Sequence, residues 1–371
     1  MEFKLKDLVN NIYSGGTPNT REESYWNGSI KWLSSGETKK SFIYDTERTI
    51  TESGVKYSST RLAKKGSIVI ASAGQGFTRG QTSLVMEDMY INQSLICVEC
   101  NLKKINNYYL YYKLKNKYNY LRAISDSNSI RGSLTTLMIR ELKIDIPDLK
   151  KQEKIGKILF EIDRKIETNG HINDNLLELI KILYIEKIKN NNKDIFEDKT
   201  LDEFCNIFTG KKNANASEEN GKYKFFTCAP EPLNINTYIY DGPAVIVAGN
   251  GAYTGRTNFY NGKFDLYQRT YGITTNNDYI YLFYAMIYAD LQNDIMGGTH
   301  GSAIPYIVMN DIAKFKVKYN KEIFDELSEK IKSLLLKIKC NELENETLTD
   351  LRDTLLPKLM NGEIDLDKIE I

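Results

Sequence analysis

The chain has 371 residues, 41% apolar and 27% charged, with a net charge of +1, so it exceeds one ordinary domain and its overall charge argues neither for nor against nucleic acid. No apolar run approaches the roughly 18 residues of a membrane span. The opening Met1-Glu2-Phe3-Lys4-Leu5-Lys6-Asp7 lacks a signal-peptide core, so a cytoplasmic protein is expected.

Residues 1–150 carry a net +7 and are the one segment that looks like a DNA binder by charge. Runs of β-branched and aromatic residues alternate with Gly/Asn turns, which predicts a strand-rich domain, with a short tyrosine-rich helix over 108–120. Gly74-x-Gly76-x-x-x-Gly80 follows a strand-like run, but its spacing is not that of a dinucleotide loop and no helix pattern opens after it. Two readings stand for such loops: a hairpin turn needing positive φ, or a place where backbone N–H groups and arginines approach DNA phosphates. Cys97 and Cys100 lie three apart in a strand-like run and so point to opposite faces. With no second pair and only His171 and His300 in the chain, no metal site is expected.

Residues 151–193, at +2, read as a long helix. No proline interrupts 152–189, and Leu159, Ile162, Ile166, Asn169, Asn173, Leu176, Ile180 and Leu183 step alternately by three and four, the period of a coiled-coil seam. The alternative is that Gly170 marks a break and the asparagines are loop residues.

After a polar linker at 190–199 the pattern starts again. Leu5-Lys6-Asp7-Leu8 is echoed by Leu201-Asp202-Glu203-Phe204, and Asn11–Gly15 by Asn206–Gly210. The run Gly66–Ala71 is echoed by Gly242–Val247, Gly80 by Gly255, and Gln93 by Gln268. Residues 194–320, at −3, are therefore a second copy of the first domain. The stretch Asn250–Thr257 imitates a P-loop, with Asn250 for its first glycine and Arg256 for its lysine, and is rejected as one. Residues 321–371, at −5, repeat the long helix at an offset of 172, with Ile331, Leu334, Ile338, Asn341, Asn345, Leu348, Arg352 and Leu355 on the seam. Each stripe needs a partner. Antiparallel pairing of the two helices sets Asn169 and Asn173 against Asn341 and Asn345, where buried amides penalise slipped registers, and it is expected to place the two domains at opposite ends of a rod. The fold class expected is α+β: two tandem mixed strand-rich domains separated by two long antiparallel coiled-coil helices, as a pseudo-two-fold internal repeat. The boundaries expected are 1–150 and 194–320 for the domains, 151–193 and 321–371 for the helices, the last with a C-terminal tail.

No motif of an aminomethyltransferase, zinc protease, calcium loop or serine hydrolase occurs, and no pair of carboxylates marks a site. No catalytic centre is expected.

Four stretches carry a resemblance. They are Ser14-Gly15-Gly16-Thr17-Pro18; Arg131-Gly132-Ser133 running into Ile146-Pro147-Asp148-Leu149-x-x-Gln152; Gly262-Lys263-Phe264-x-x-x-Gln268-Arg269-Thr270; and Leu351-Arg352-Asp353-x-Leu355-Leu356-Pro357-x-Leu359-x-x-Gly362-x-Ile364, the most specific of them. On these the whole chain resembles the DNA-specificity subunits of type I restriction–modification systems. One departure is the exit of the second domain, which reads Lys318-Tyr319-Asn320 where the first has Pro147-x-x-x-x-Gln152.

The resemblance implies two target-recognition domains, each reading half of a split site in double-stranded DNA. It also implies two helices that space the halves and dock two methyltransferase (modification) subunits, with two restriction subunits joining them. S-adenosylmethionine, ATP and magnesium would belong to those partners, with no cofactor or metal in this chain. Residue chemistry nominates Arg79, Gln81, Asn92, Gln93, Asn128 and Arg131 as DNA contacts of the first domain, and Asn250, Arg256, Gln268, Arg269 and His300 of the second, since arginine suits guanine and Asn/Gln suit adenine in the major groove. For each of them a turn or structural hydrogen bond is the competing role. Tyr25, Trp26 and Trp32 are read as core.

Overall fold

A computed structural model of the chain describes residues 2–74, 76–126, 132–291 and 306–364. It divides into two units, residues 1–168 with 344–371, and residues 169–343.

The first unit opens with β1 (Glu2–Lys4), β2 (Val9–Ser14), β3 (Trp26–Leu33), β4 (Phe42–Ile43) and β5 (Arg48–Ile50), followed by the short helix α1 (Glu52–Lys56). Then come β6 (Arg61–Ala63), β7 (Ile68–Ala71), β8 (Thr82–Val85), β9 (Met89–Ile91) and β10 (Leu95–Cys100). Helices α2 (Asn107–Asn116), α3 (Tyr118–Asp126) and α4 (Thr136–Arg140) and strand β11 (Lys143–Asp145) lead into α5 (Leu149–Tyr184). Strands order β2-β10-β7-β8-β4 in one sheet and β5-β3-β9-β6 in another, and β1 pairs with β11 as a separate ribbon. Both faces of the first sheet are covered, so β7 reads Ile-Val-Ile-Ala with every residue buried. On one face lies a core built on α2, where Tyr109, Tyr111 and Tyr112 are buried with Ile68, Ile70 and Ile96.

The second unit builds the same plan from β12 (Glu197–Thr200), β13 (Asn206–Thr209), β14 (Tyr223–Phe226), β15 (Leu233–Ile235), β16 (Tyr240–Ala248), β17 (Thr257–Leu266) and β18 (Thr270–Thr274). Helices α6 (Tyr279–Met286) and α7 (Met309–Ala313) and strand β19 (Lys316–Tyr319) precede the long α8 (Lys321–Asn361). Its sheet runs β13-β18-β16-β17-β14-β15, and β12 pairs with β19. The order β13-β18-β16-β17 repeats β2-β10-β7-β8. One strand does the work of two here: β17 pairs antiparallel with β16 and, further along, parallel with β14. In the first unit β8 pairs with β7, and the separate β9 lies parallel to β3.

Both long helices start on the same device. Asp148 accepts the Lys151 N–H at 3.0 Å and Asn320 accepts the Ile323 N–H at 3.1 Å, each satisfying a donor the first turn leaves open. The offset between the caps is again 172, so the altered exit at Asn320 keeps the function of Asp148. What differs is Gln152, buried and bonded to the Asn106 N–H and the Pro147 carbonyl. Its equivalent is Phe324, buried among the rings of Phe204, Tyr279 and Phe283.

Helix α5 runs through Gly170 without a break. In the first unit, residues 149–168 of α5 lie antiparallel to residues 344–361 of α8: Asn345 Nδ2 donates to the Ile166 carbonyl at 3.3 Å, and Arg352 Nη1 to Asp163 Oδ1 at 2.6 Å. In the second unit Asn341 Nδ2 donates to Asn173 Oδ1 at 2.7 Å. Asn169 and Asn341 are buried, and Ile180, Ile331 and Ile338 join the apolar core. Beyond Tyr184 the helix widens into a π turn at Ile185–Lys189. No helix among the described residues is long and apolar enough to cross a membrane.

The duplication reaches the closest backbone approaches. A Cβ on Gly15 would sit 1.9 Å from the Ile91 carbonyl oxygen, and one on Gly210 would sit 1.7 Å from that of Leu266. No side chain fits there, so only glycine lets these strands meet. Gly15→Ala and Gly210→Ala are each predicted to cost about 2–3 kcal/mol, read as a lower midpoint in urea unfolding; an unchanged midpoint would show that the strands separate without penalty.

Candidate DNA-reading edges

At one edge of each main sheet the same backbone bonds are made twice. Gly80 N–H donates to the Ala71 carbonyl and Ala71 N–H to that of Gln81, both at 2.9 Å. In the second unit Gly255 N–H donates to Ala248 at 2.8 Å and Ala248 N–H to Arg256 at 2.9 Å. Gly80 (φ +87°) and Gly255 (φ +81°) hold the left-handed conformation that closes the β7–β8 and β16–β17 loops. Ser72 N–H reaches the Ser94 carbonyl at 2.8 Å as Gly249 N–H reaches that of Arg269 at 2.9 Å. Leu134 N–H donates to Ser72 as Ile307 N–H donates to Gly249, both at 2.9 Å. These equivalences pair Gln81 with Arg256, Gln93 with Gln268, and Ser94 with Arg269. The frame is constant, while two of the three side chains on it differ.

In the second unit the nominated residues gather on this edge. Gln268 and Arg269 are exposed on the β17–β18 turn. Arg256 is half-buried, its guanidinium 5.9 Å from the Tyr253 ring. Asn250 is half-buried and bridges to Tyr306. Neighbouring Lys212 is neutralised by Asp265 Oδ2 at 2.7 Å, which also accepts from Thr237.

The first unit is less uniform. Gln93 is exposed and accepts from Thr17, and Gln81 is half-buried, its Oε1 3.3 Å from Thr38 Oγ1. Arg79 and Asn92 are placed differently from the other nominated residues, since neither side chain faces solvent. The Arg79 guanidinium is buried and paired with Asp126 at the end of α3, and Asn92 Oδ1 accepts the Ser94 N–H at 3.0 Å to shape the turn. Asn128, Arg131 and His300 lie outside the described residues. Trp26 and Trp32 are core, as expected, packed edge to face against each other in a cluster with Ile50. Sequence reasoning passed over Phe77, 83% exposed at the tip of the β7–β8 loop, whose backbone is held by the Tyr118 hydroxyl at 2.8 Å and, through the Gly76 carbonyl, by Arg122. A large apolar residue between glycines was the available signal.

Burial pushes the thiols of Cys97 and Cys100 up to about 12, away from the thiolate form that binds metals. Among the described residues no group of three or more His, Cys, Asp and Glu side chains is placed to hold a metal ion.

The type I restriction modification DNA specificity domain matches residues 1–178 and again residues 193–348. The chain belongs to that family. Its role is DNA sequence recognition for a type I restriction–modification complex. It is 27% identical over 414 residues to the type I restriction enzyme MjaIX specificity subunit of Methanocaldococcus jannaschii, covering 99% of this chain and 94% of that protein. It is 34% identical over 169 residues to the EcoDI specificity subunit of Escherichia coli, covering 44% of this chain and 37% of that one. The crystal structure of the type I restriction–modification S subunit from M. genitalium shares the fold, with a TM-score of 0.66 at 16% identity over 97% of this chain and 95% of that one.

The two arginines differ in burial, Arg79 being enclosed and Arg269 exposed. Arg79→Ala is predicted to lower unfolding stability by about 2 kcal/mol by removing a buried, paired group. Arg269→Ala is predicted to stay within about 0.5 kcal/mol of the wild type, as exposed substitutions do. Equal losses in thermal unfolding would mean that Arg269 is also a bracing residue.

Proposed function

We propose that each edge reads one half of a split site in double-stranded DNA, with Gln81 and Gln93 contacting the first half and Asn250, Arg256, Gln268 and Arg269 the second. The observation that carries the reading is the twice-built backbone frame with unlike side chains on it: equal frames present donors to DNA in equal geometry, and Gln81 against Arg256 gives them different preferences. Arginine forks onto the O6 and N7 of guanine, and glutamine amides onto the N6 and N7 of adenine.

In this reading α5 and α8 set the number of unread base pairs between the halves and dock two modification subunits, with two restriction subunits completing the complex. The chain performs no chemistry and holds no cofactor. Adenine methylation with S-adenosylmethionine, and translocation and cleavage with ATP and magnesium, fall to the partners. The protein works in the cytoplasm, where its DNA is.

The reading is tested by sequencing N6-methyladenine in DNA exposed to the assembled complex. A gapped site with one modified adenine in each half is expected. Arg256→Ala and Arg269→Ala should relax the choice of base in one half only, each by ~1–3 kcal/mol of discrimination. Uniform weakening on all sequences, with a shallower dependence on salt, would make them phosphate contacts instead. Four residues added to each long helix move its end by about 5–6 Å, so the gap should lengthen by ~1–3 bp while the half-sites keep their letters. A fixed gap would remove the helices from the spacing role.

A further inference from the structure

The two halves of the chain differ at one buried point of the helix pairing. In the first unit Asp163 is buried on α5, accepting from Arg352 Nη1 at 2.6 Å and from the Tyr112 hydroxyl at 2.8 Å, with Lys115 Nζ at 3.6 Å. Arg352 also reaches its neighbour Asp353 at 2.8 Å. Shifted by 172, Asp163 corresponds to Leu335, Arg352 to Ile180 and Tyr112 to Tyr284, all buried in the core of the second unit. One unit has an ion pair where the other has two aliphatic side chains.

We propose that the Asp163–Arg352 pair makes α5 select α8 rather than a second copy of α5, and so opposes assembly of two chains through like halves. The seam asparagines cannot make that choice. An α5–α5 pairing in the same register still sets Asn169 against Asn173, and an α8–α8 pairing sets Asn341 against Asn345. The apolar positions are equally indifferent, since Ile and Leu occupy both helices. The charged pair is not. An α5–α5 pairing places each Asp163 opposite Ile180 of the second copy, leaving it Tyr112 and the more distant Lys115. An α8–α8 pairing places each Arg352 opposite Leu335, with only Asp353 beside it. Asp163 is the buried member of the pair, and a buried charge that loses its partner costs far more than the intact pair contributes. The duplicated sequence thus carries a device that tells its two halves apart, and the partner its α5 seam fits is a helix bearing a cation opposite Asp163.

The test uses the folded full-length chain with a protease site inserted at residues 190–192, cut after purification, diluted, reconcentrated and weighed by native mass spectrometry. The nicked wild type should give N-half with C-half complexes only. The chain with Asp163→Leu and Arg352→Ile should raise the N–N and C–C species at least ~10-fold. The chain with Ile180→Arg and Leu335→Asp, which satisfies the charges in every pairing, should do the same, and either symmetrised variant suffices if the other does not fold. Reversing the pair, Asp163→Arg with Arg352→Asp, should restore N–C complexes alone. Equal like-half shares in the wild type and a symmetrised variant overturn the proposal. So does a reversed pair that behaves as the symmetrised chains do.

Discussion

A long helix with a single apolar stripe is unstable in water until something covers the stripe, and this chain contains two such helices. In each unit a stretch of α5 is covered by a stretch of α8 running the other way. Residues 344–361, at the far end of the sequence, thereby help to complete the first unit, where Leu356, Leu359 and Met360 enter the same core as Ile68 and Tyr109. The Lys113 ammonium donates to the Met360 carbonyl at 2.9 Å, which ties the last turn of α8 to α2. Neither domain is thus finished by its own half of the sequence.

Upon that support the strands build one edge twice. Sequence recognition by such an edge needs two properties that usually conflict: side chains held still, and side chains free to differ. The repeated bonds from Gly80 to Ala71 and from Gly255 to Ala248 supply the first through backbone groups alone. Because no side chain takes part, glutamine can stand where its counterpart is arginine without moving the frame. The close approaches at Gly15 and Gly210 serve the same end, since they fix which strands meet beneath the edge.

Much of this was legible in the sequence because it rests on periodicity and on glycine. The steps of three and four gave the seam, and the 172-residue offset gave the second helix and its asparagines. Less was legible where a partner lies far along the chain. Nothing near Arg79 announces Asp126, 47 residues on, so its pairing left no mark in the sequence. The presence of one long strand, β17, where the first unit has the separate β8 and β9 also left no mark in the sequence reading. Replacement of Gln152 by Phe324 looked like a lost motif, yet it exchanges hydrogen bonds for ring packing at one site.

The central claim is that the chain holds two interchangeable readers of DNA. It is tested most directly by replacing residues 197–319 with a second copy of residues 2–145 and sequencing N6-methyladenine in DNA exposed to the assembled complex. The account predicts a palindromic gapped site made of two inverted copies of the first half-site. Methylation that stays at the original asymmetric site would contradict it.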